Sequence, residues 1–390
     1  INLFVFLSLV VLVTLSGMVS AEGFGFDHWK ILKSEHFVCF YKPEYHKDAE
    51  KVLFSLEVTK ETVDKITGGE VEKANVVLDE AGMYSQGFVA CPDYNIHITT
   101  FSPHHGEIGN TYDWYKEVGV HEYTHLSQMT NRKGLNKTFS TLFKGNPFLE
   151  PPLVPLWVTE GIAVYTESQF SPYTGRLNDG YYEAWIDFLS SQKMLPSIND
   201  ATHLPLSPSN LGGQYLFGGE FFSYLAKKYG EKAVTEFFNI TGRQWWGNLT
   251  LLILPFPFFT IDSAAKEAFG KSFPKLWEEW KSAQQKTGFI NDGERITKRG
   301  WTIKNPVVFQ DKLYYVCSYP IKTGAYSGFW FKEIIERDIV SQKERTIVKT
   351  TSDFSAPFQI KDNNIYYAVY ETRGGYPNSF CGRIGSFANL

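Results

Sequence analysis

Residues His121-Glu122-Tyr123-Thr124-His125 spell H-E-x-x-H inside a stretch patterned as a helix, and no other feature restricts the fold so tightly. Residues four apart share one face of an α-helix, so two imidazoles on a single rigid rod can reach one metal ion. The run from Tyr112 to Met129 supports such a helix. At about 100° per residue, Trp114, Val118, His121, His125 and Met129 form one inward stripe. Glu122 falls at the edge of that stripe, beside the first histidine, where it can handle protons. Asn110 or Thr111 offers the N-cap. Histidines on an apolar face also suit a hydrogen-bonded core, so a metal reading needs a third ligand.

That ligand is sought downstream, because a catalytic zinc site takes three protein ligands and keeps one position open. The segment from Pro155 to Glu167 reads as a second helix, started near a proline. In it Glu160 is followed by Gly161, Ile162, Ala163 and Val164. A carboxylate in so apolar a helix is expensive to bury unless it is paired or metal-bound. Gly161 forfeits about 1 kcal/mol of helix propensity relative to alanine, which points to close packing against another helix. Glu160 is therefore expected to join His121 and His125 around Zn²⁺, although imidazole and carboxylate also accept other divalent ions. Glu167, two turns further on, could orient a ligand; the expectation is a solvated helix-end carboxylate.

H-E-Y-T-H followed by W-V-T-E-G-I-A-V-Y resembles the gluzincin branch of zinc peptidases, and within it the peptidase MA-like domains. The resemblance runs from Phe37 to Trp280 and includes the strand-like lead-in Gly87 to Thr100 and the helical stretch Tyr215 to Gly230. It implies an α+β, zincin-like domain with a small, mostly antiparallel sheet and active-site helices, acting on a peptide or protein substrate. It implies zinc held by His121, His125 and Glu160, a water nucleophile, and Glu122 as general base. It also implies a downstream tyrosine donating to the oxyanion, best matched by Tyr215, although an aromatic core residue is the competing reading there. Aminopeptidase members carry a G-x-M-E-N segment, and the chain has none, which sets it apart from them. The resemblance further suggests the strand carrying Ile96, His97 and Ile98 as a sheet edge above the cleft, where a peptide could pair by β-augmentation. Alternation turns His97 away from the core. His104 and His105, before the metal helix, are expected in a solvated loop. No G-x-S-x-G elbow, phosphate-binding glycine loop or cysteine–histidine nucleophile pattern occurs.

Composition narrows the partners. A net charge of −4 and a pI near 6.2, with no basic cluster, argue against nucleic acid. Residues 1–21 read as a signal peptide: Asn2 to Val19 is almost wholly apolar, and Val19-Ser20-Ala21 has the small residues of a cleavage site. The competing reading is an uncleaved anchor; both place the folded part outside the cytoplasm, secreted or periplasmic. The chain starts at Ile1 without a basic n-region, so it is read as truncated. Cys39, Cys91, Cys317 and Cys381 are compatible with two disulfides of undetermined pairing. Sequons stand at Asn136, Asn239 and Asn248.

Along the chain, strands are predicted at His36–Tyr41 and Ala74–Asp79, and helices at Lys47–Ile66, Gly180–Ser191, Tyr215–Tyr229, Glu231–Ile240, Ile261–Phe269 and Phe273–Gln285. A small sheet followed by helices gives an α+β peptidase domain over 22–290. Two proline-broken apolar connections, 143–156 and 251–259, read either as loops folded under helices or as a lip touching a membrane or partner. Over 291–390 the texture turns to short strands with a repeat: Pro306-Val-Val-Phe-Gln-Asp-Lys-Leu-Tyr-Tyr matches Pro357-Phe-Gln-Ile-Lys-Asp-Asn-Asn-Ile-Tyr-Tyr. A period of about 50 residues suggests propeller blades, and the pattern resembles a TolB-like propeller of which about two blades fit. A β-sandwich is the alternative. Two functions follow: an exported zinc peptidase, or a propeller-centred binding protein whose peptidase domain retains metal but turns over little.

Overall fold

The computed structural model describes residues 29–80, 85–90, 93–100, 113–142, 154–201, 212–244, 261–284, 294, 296–297, 302–320, 330–351, 354, 357–372 and 386–389. The signal-like segment, most of the two apolar connections, His104, His105, Cys91, Cys381 and Asn248 lie outside them.

Strand β1 (Lys30–Lys33) pairs antiparallel with β2 (Phe37–Tyr41), whose alternation sends Phe37, Cys39 and Tyr41 into the interior. Helix α1 (His46–Thr67) then carries the chain back, so β3 (Ala74–Asp79) lies parallel to β2, as a helical crossover requires. β4 (Gly87–Ala90) pairs antiparallel with β5 (Asn95–Thr99), and β5 runs parallel to β3. The order is β1-β2-β3-β5-β4. The sheet is mixed, which corrects the expectation of a mostly antiparallel one: the α1 crossover and the return of the chain past β4 impose two parallel pairings. β1 and β4, not the strand bearing His97, are the edges among the described strands. His97 does turn from the core, meeting Asp79 Oδ2 through Nδ1 at 2.7 Å and stacking on Phe88 with centroids 4.6 Å apart.

Eight helices follow among the described residues: α2 (Trp114–Thr130), α3 (Leu135–Leu142), α4 (Leu156–Glu167), α5 (Gly180–Ser191), α6 (Gly213–Tyr229), α7 (Glu231–Arg243), α8 (Ile261–Phe269) and α9 (Phe273–Ala283). The N-cap of α2 is Asp113, whose carboxylate accepts from the Lys116 amide at 3.3 Å, rather than Asn110 or Thr111. Two apolar clusters form. One joins the sheet, α1 and α2 through Phe37, Leu56, Val76, Ile96, Val120 and Tyr123. The other gathers Trp157, Phe221, Phe222, Phe237, Trp277 and Trp280 from α4, α6, α7 and α9.

Helix α2 is enclosed: Val118 through Gln128 are buried without a break, where the sequence suggested one buried stripe. On the side facing α1, Tyr123 Oη and Ser127 Oγ both donate to Asp64 Oδ1, at 2.9 and 2.7 Å, while Lys60 holds Oδ2 at 2.7 Å. These bonds satisfy the polar groups that a fully buried helix would otherwise strand.

Cys39 is a thiol sealed in the first cluster, pushed up to about 12 by burial, and it takes part in no disulfide among the described residues. The sequon residue Asn136 is fully buried and donates through Nδ2 to the Gly242 carbonyl at 2.9 Å. No described helix is long and apolar enough to cross a membrane.

The C-terminal residues form a separate antiparallel meander of β6 (Thr302–Phe309), β7 (Lys312–Pro320), β8 (Trp330–Asp338) and β9 (Glu344–Thr350). A hairpin of β10 (Gln359–Lys361) and β11 (Asn364–Tyr366) follows, then the pair β12 (Val369–Thr372) and β13 (Ser386–Asn389). Both copies of the repeat fold as hairpins, turning at Gln310 (φ 55°) in the first and at Asp362 and Asn363 (φ 51° and 62°) in the second. Phe358, Ile360 and Ile365 of the second copy pack on Tyr314, Val316 and Ile334. No closed propeller or barrel is formed by the described strands.

Candidate metal centre

Helices α2 and α4 cross so that three predicted ligands meet. His121 Nε2 lies 3.1 Å from His125 Nε2, and Glu160 Oε2 lies 3.3 Å from the first and 3.2 Å from the second. The imidazoles stand edge to face, with planes at 89°. Tetrahedral zinc with bonds of about 2.0–2.2 Å separates its donors by about 3.3–3.5 Å, so this near-equilateral triangle fits that ion, with one corner over. An oxygen of Glu122 also lies within 4.8 Å of the histidine nitrogens. Glu160 is the better third donor because its Oε2 touches both nitrogens.

Surroundings separate the two carboxylates. Burial raises the Glu122 carboxyl above the usual carboxylate range, against the pull of His125 and His121. Its Oε2 is buried with no hydrogen-bond partner among the described residues, as is His125 Nδ1. Burial would also raise Glu160, but hydrogen bonds from His121 and His125 hold it far below that range. For His121, burial and Arg176 pull downward, and bonds to Glu160 and Glu167 bring the imidazole up to about 9. His121 thus has a carboxylate at each ring nitrogen, Glu160 at Nε2 and Glu167 at Nδ1.

Glu167 is not the solvated carboxylate expected at the end of α4. It is 5% exposed, and its Oε2 lies 2.8 Å from His121 Nδ1. Arg176, which the sequence reading missed, forks onto it: Nε donates to Oε1 at 2.7 Å and Nη2 to Oε2 at 2.8 Å. The Arg176 amide adds a third bond to Oε1 at 3.1 Å. Burial opposes ionisation of Glu167, and Arg176 overrides it, holding the carboxyl at about 2.

The loop between α4 and α5 delivers the guanidinium. Asn178 Nδ2 donates to the carbonyls of Ser168, Ser171 and Thr174 at 2.8–2.9 Å, and the Leu177 amide donates to Ser168 Oγ at 3.1 Å. Gly175 (φ 84°) makes the tight return, where a Cβ would stand 2.5 Å from Ser168 Cα.

Helix α6 brings the predicted tyrosine. A Cβ on Gly161 would lie 2.5 Å from the Gly218 carbonyl carbon, so α4 and α6 touch backbone to backbone. One turn before that crossing, the Tyr215 ring lies 6.1 Å from the His121 ring, with the Arg176 guanidinium 4.8 Å from its centroid. Burial, then the charge of Glu160, raises the Tyr215 phenol, so it stays protonated and able to donate. On the other side, β4 lies against α2: a Cβ on Gly87 would stand 2.7 Å from Glu122 Oε1.

No protein-family model matches the chain, and no curated protein matches it. Among solved structures it is similar to native yeast LTA4 hydrolase at 13% sequence identity and a TM-score of 0.33, over 63% of this chain and 39% of that one. The chain therefore spans about two fifths of that protein's length, and so low a likeness decides neither fold nor activity.

Proposed function

We propose that the chain is an exported zinc-dependent peptidase in which His121, His125 and Glu160 hold the metal, Glu122 is the general base, and Tyr215 donates to the developing oxyanion. One observation carries this reading: three donor atoms from two helices come within 3.1–3.3 Å of one another beside a buried, unpartnered Glu122 oxygen. When bound, zinc supplies a Lewis acid that acidifies a water and polarises the scissile carbonyl.

The protein's own groups then divide the work. Glu122 Oε2 takes the proton released by the attacking water and passes it to the leaving amine; its raised affinity for protons suits it to both transfers. Tyr215, kept protonated, offers its hydroxyl where the carbonyl oxygen gains charge. Glu167 accepts the Nδ1 proton of His121 and leaves Nε2 free to face the ion. β4, at the sheet edge against Glu122, can align an extended peptide by main-chain pairing.

The reading extends to the rest of the chain. The apolar segment 1–21 accounts for export, and the repeated hairpins suit the first blades of a propeller that gathers substrate or docks a partner. The apolar connections 143–156 and 251–259 are the places for a membrane or protein contact.

The test compares wild type with Glu122→Gln on a peptide library, with bound zinc measured on both. Turnover is expected to fall roughly 10²- to 10⁴-fold with zinc retained. Equal turnover by the two proteins would falsify the catalytic assignment.

A further inference from the structure

We infer that Arg176 is a positioning residue for the centre, fixing the plane of the His121 imidazole through Glu167 and setting Tyr215 against the same imidazole. This rests on the reading of His121, His125 and Glu160 as a metal site. The guanidinium is planar and rigid, and it holds both oxygens of Glu167, Oε1 through Nε at 2.7 Å and Oε2 through Nη2 at 2.8 Å. A carboxylate gripped at both oxygens cannot rotate about its last bond. Its Oε2 therefore stays 2.8 Å from His121 Nδ1, in line to accept that proton. Arg176 Nη2 also lies 2.8 Å from Nδ1; with Nδ1 donating to Oε2, that approach is a contact between two N–H groups sharing one acceptor and not a hydrogen bond between them. With Nδ1 engaged by Oε2, Nε2 is the nitrogen turned toward His125 and Glu160.

The same guanidinium carries a second contact. Its carbon lies 4.8 Å from the Tyr215 ring centroid, a cation–π distance, on the helix opposite to that of the histidines. A salt bridge serving only to pin the loop would need neither the imidazole nor the phenol. Here one buried cation from a short 3₁₀ turn touches the carboxylate behind one ligand and the ring expected to act in front of it.

The experiment measures zinc affinity by competition with a chromophoric chelator, the visible spectrum of the Co²⁺-loaded protein, and the melting temperature of the metal-free protein. Arg176→Met should bind zinc about 10- to 100-fold more weakly and shift the Co²⁺ bands, with Arg176→Lys in between because it keeps the charge and loses the planar fork. The double variant Glu167→Gln/Arg176→Gln removes the buried charges together, so it stays testable should the single variant fail to fold. Restored melting with zinc affinity still reduced supports the assignment. Wild-type zinc affinity in either variant, with or without a lower melting temperature, overturns it. A wild-type protein that takes up no zinc removes the metal reading itself, whereas one that binds zinc alongside unaffected variants removes only the role of Arg176.

Discussion

Glu122 and Glu160 have the same functional group within one centre, and their neighbours push them in opposite directions. Burial without a partner makes Glu122 hold protons, while two imidazoles make Glu160 release them. Carboxyls driven apart in this way suit the proposed roles of base and ligand. The position of Glu122 depends on a residue with no side chain: a Cβ at Gly87 would stand 2.7 Å from its Oε1 and 2.8 Å from its Cγ. Gly87→Ala should therefore displace the base, lowering kcat roughly 10- to 100-fold while zinc affinity stays as in wild type. Steady-state kinetics beside a zinc titration checks this; weakened zinc with unchanged kcat would count against it. His121, Glu122 and His125 were legible from spacing, and Glu160 from its apolar neighbours. Arg176 was not, since it comes from a loop whose shape depends on Asn178 bonding three carbonyls, which leaves no periodic trace. The burial of Glu167 leaves no trace in the sequence either, because burial at a helix end depends on what folds over it.

The decisive event among the elements is the crossing of α4 and α6. Gly161 and Gly218 meet there, and small residues at this point let Glu160 and Tyr215 approach the same imidazole from two helices. Gly161→Ala would place a methyl 2.5 Å from the Gly218 carbonyl carbon and part the helices. Overpacking of this kind costs about 1–3 kcal/mol, to be read as a lower denaturant midpoint with an unchanged slope. An unaltered midpoint would mean that the crossing has slack. Most helices could be placed from sequence within a few residues, since their apolar periodicity is strong. The sheet could not be: which strand lies at its edge depends on pairing between distant segments, and β4 is only four residues long. Helix α3 and strand β1 escaped notice for the same reason of length.

At the scale of the molecule, the candidate metal centre lies where α2, packed in the sheet cluster, meets α4 of the helical cluster, and the C-terminal meander keeps its own small cores. That meander carries a pH-dependent tie. Glu336 is held at about 2, first by its bond from Arg345, then against burial by Lys312 and Tyr314. A carboxyl depressed in the folded state stabilises above its unfolded pKa of 4.5, and that contribution is lost as pH falls through about 2. Chemical unfolding of wild type and Glu336→Gln should give a gap that is constant near neutrality, shrinks below about pH 4.5 and closes near pH 2. A gap independent of pH would contradict this. The bare glycine crossing has one more effect, on how the protein can breathe. With main chain seated on main chain, no side chain at the contact can change rotamer to widen it, so the spacing of the two rods there is set by backbone alone. Glu160 and Tyr215 sit within a turn of that contact, where the distance between the two helices has the least room to vary.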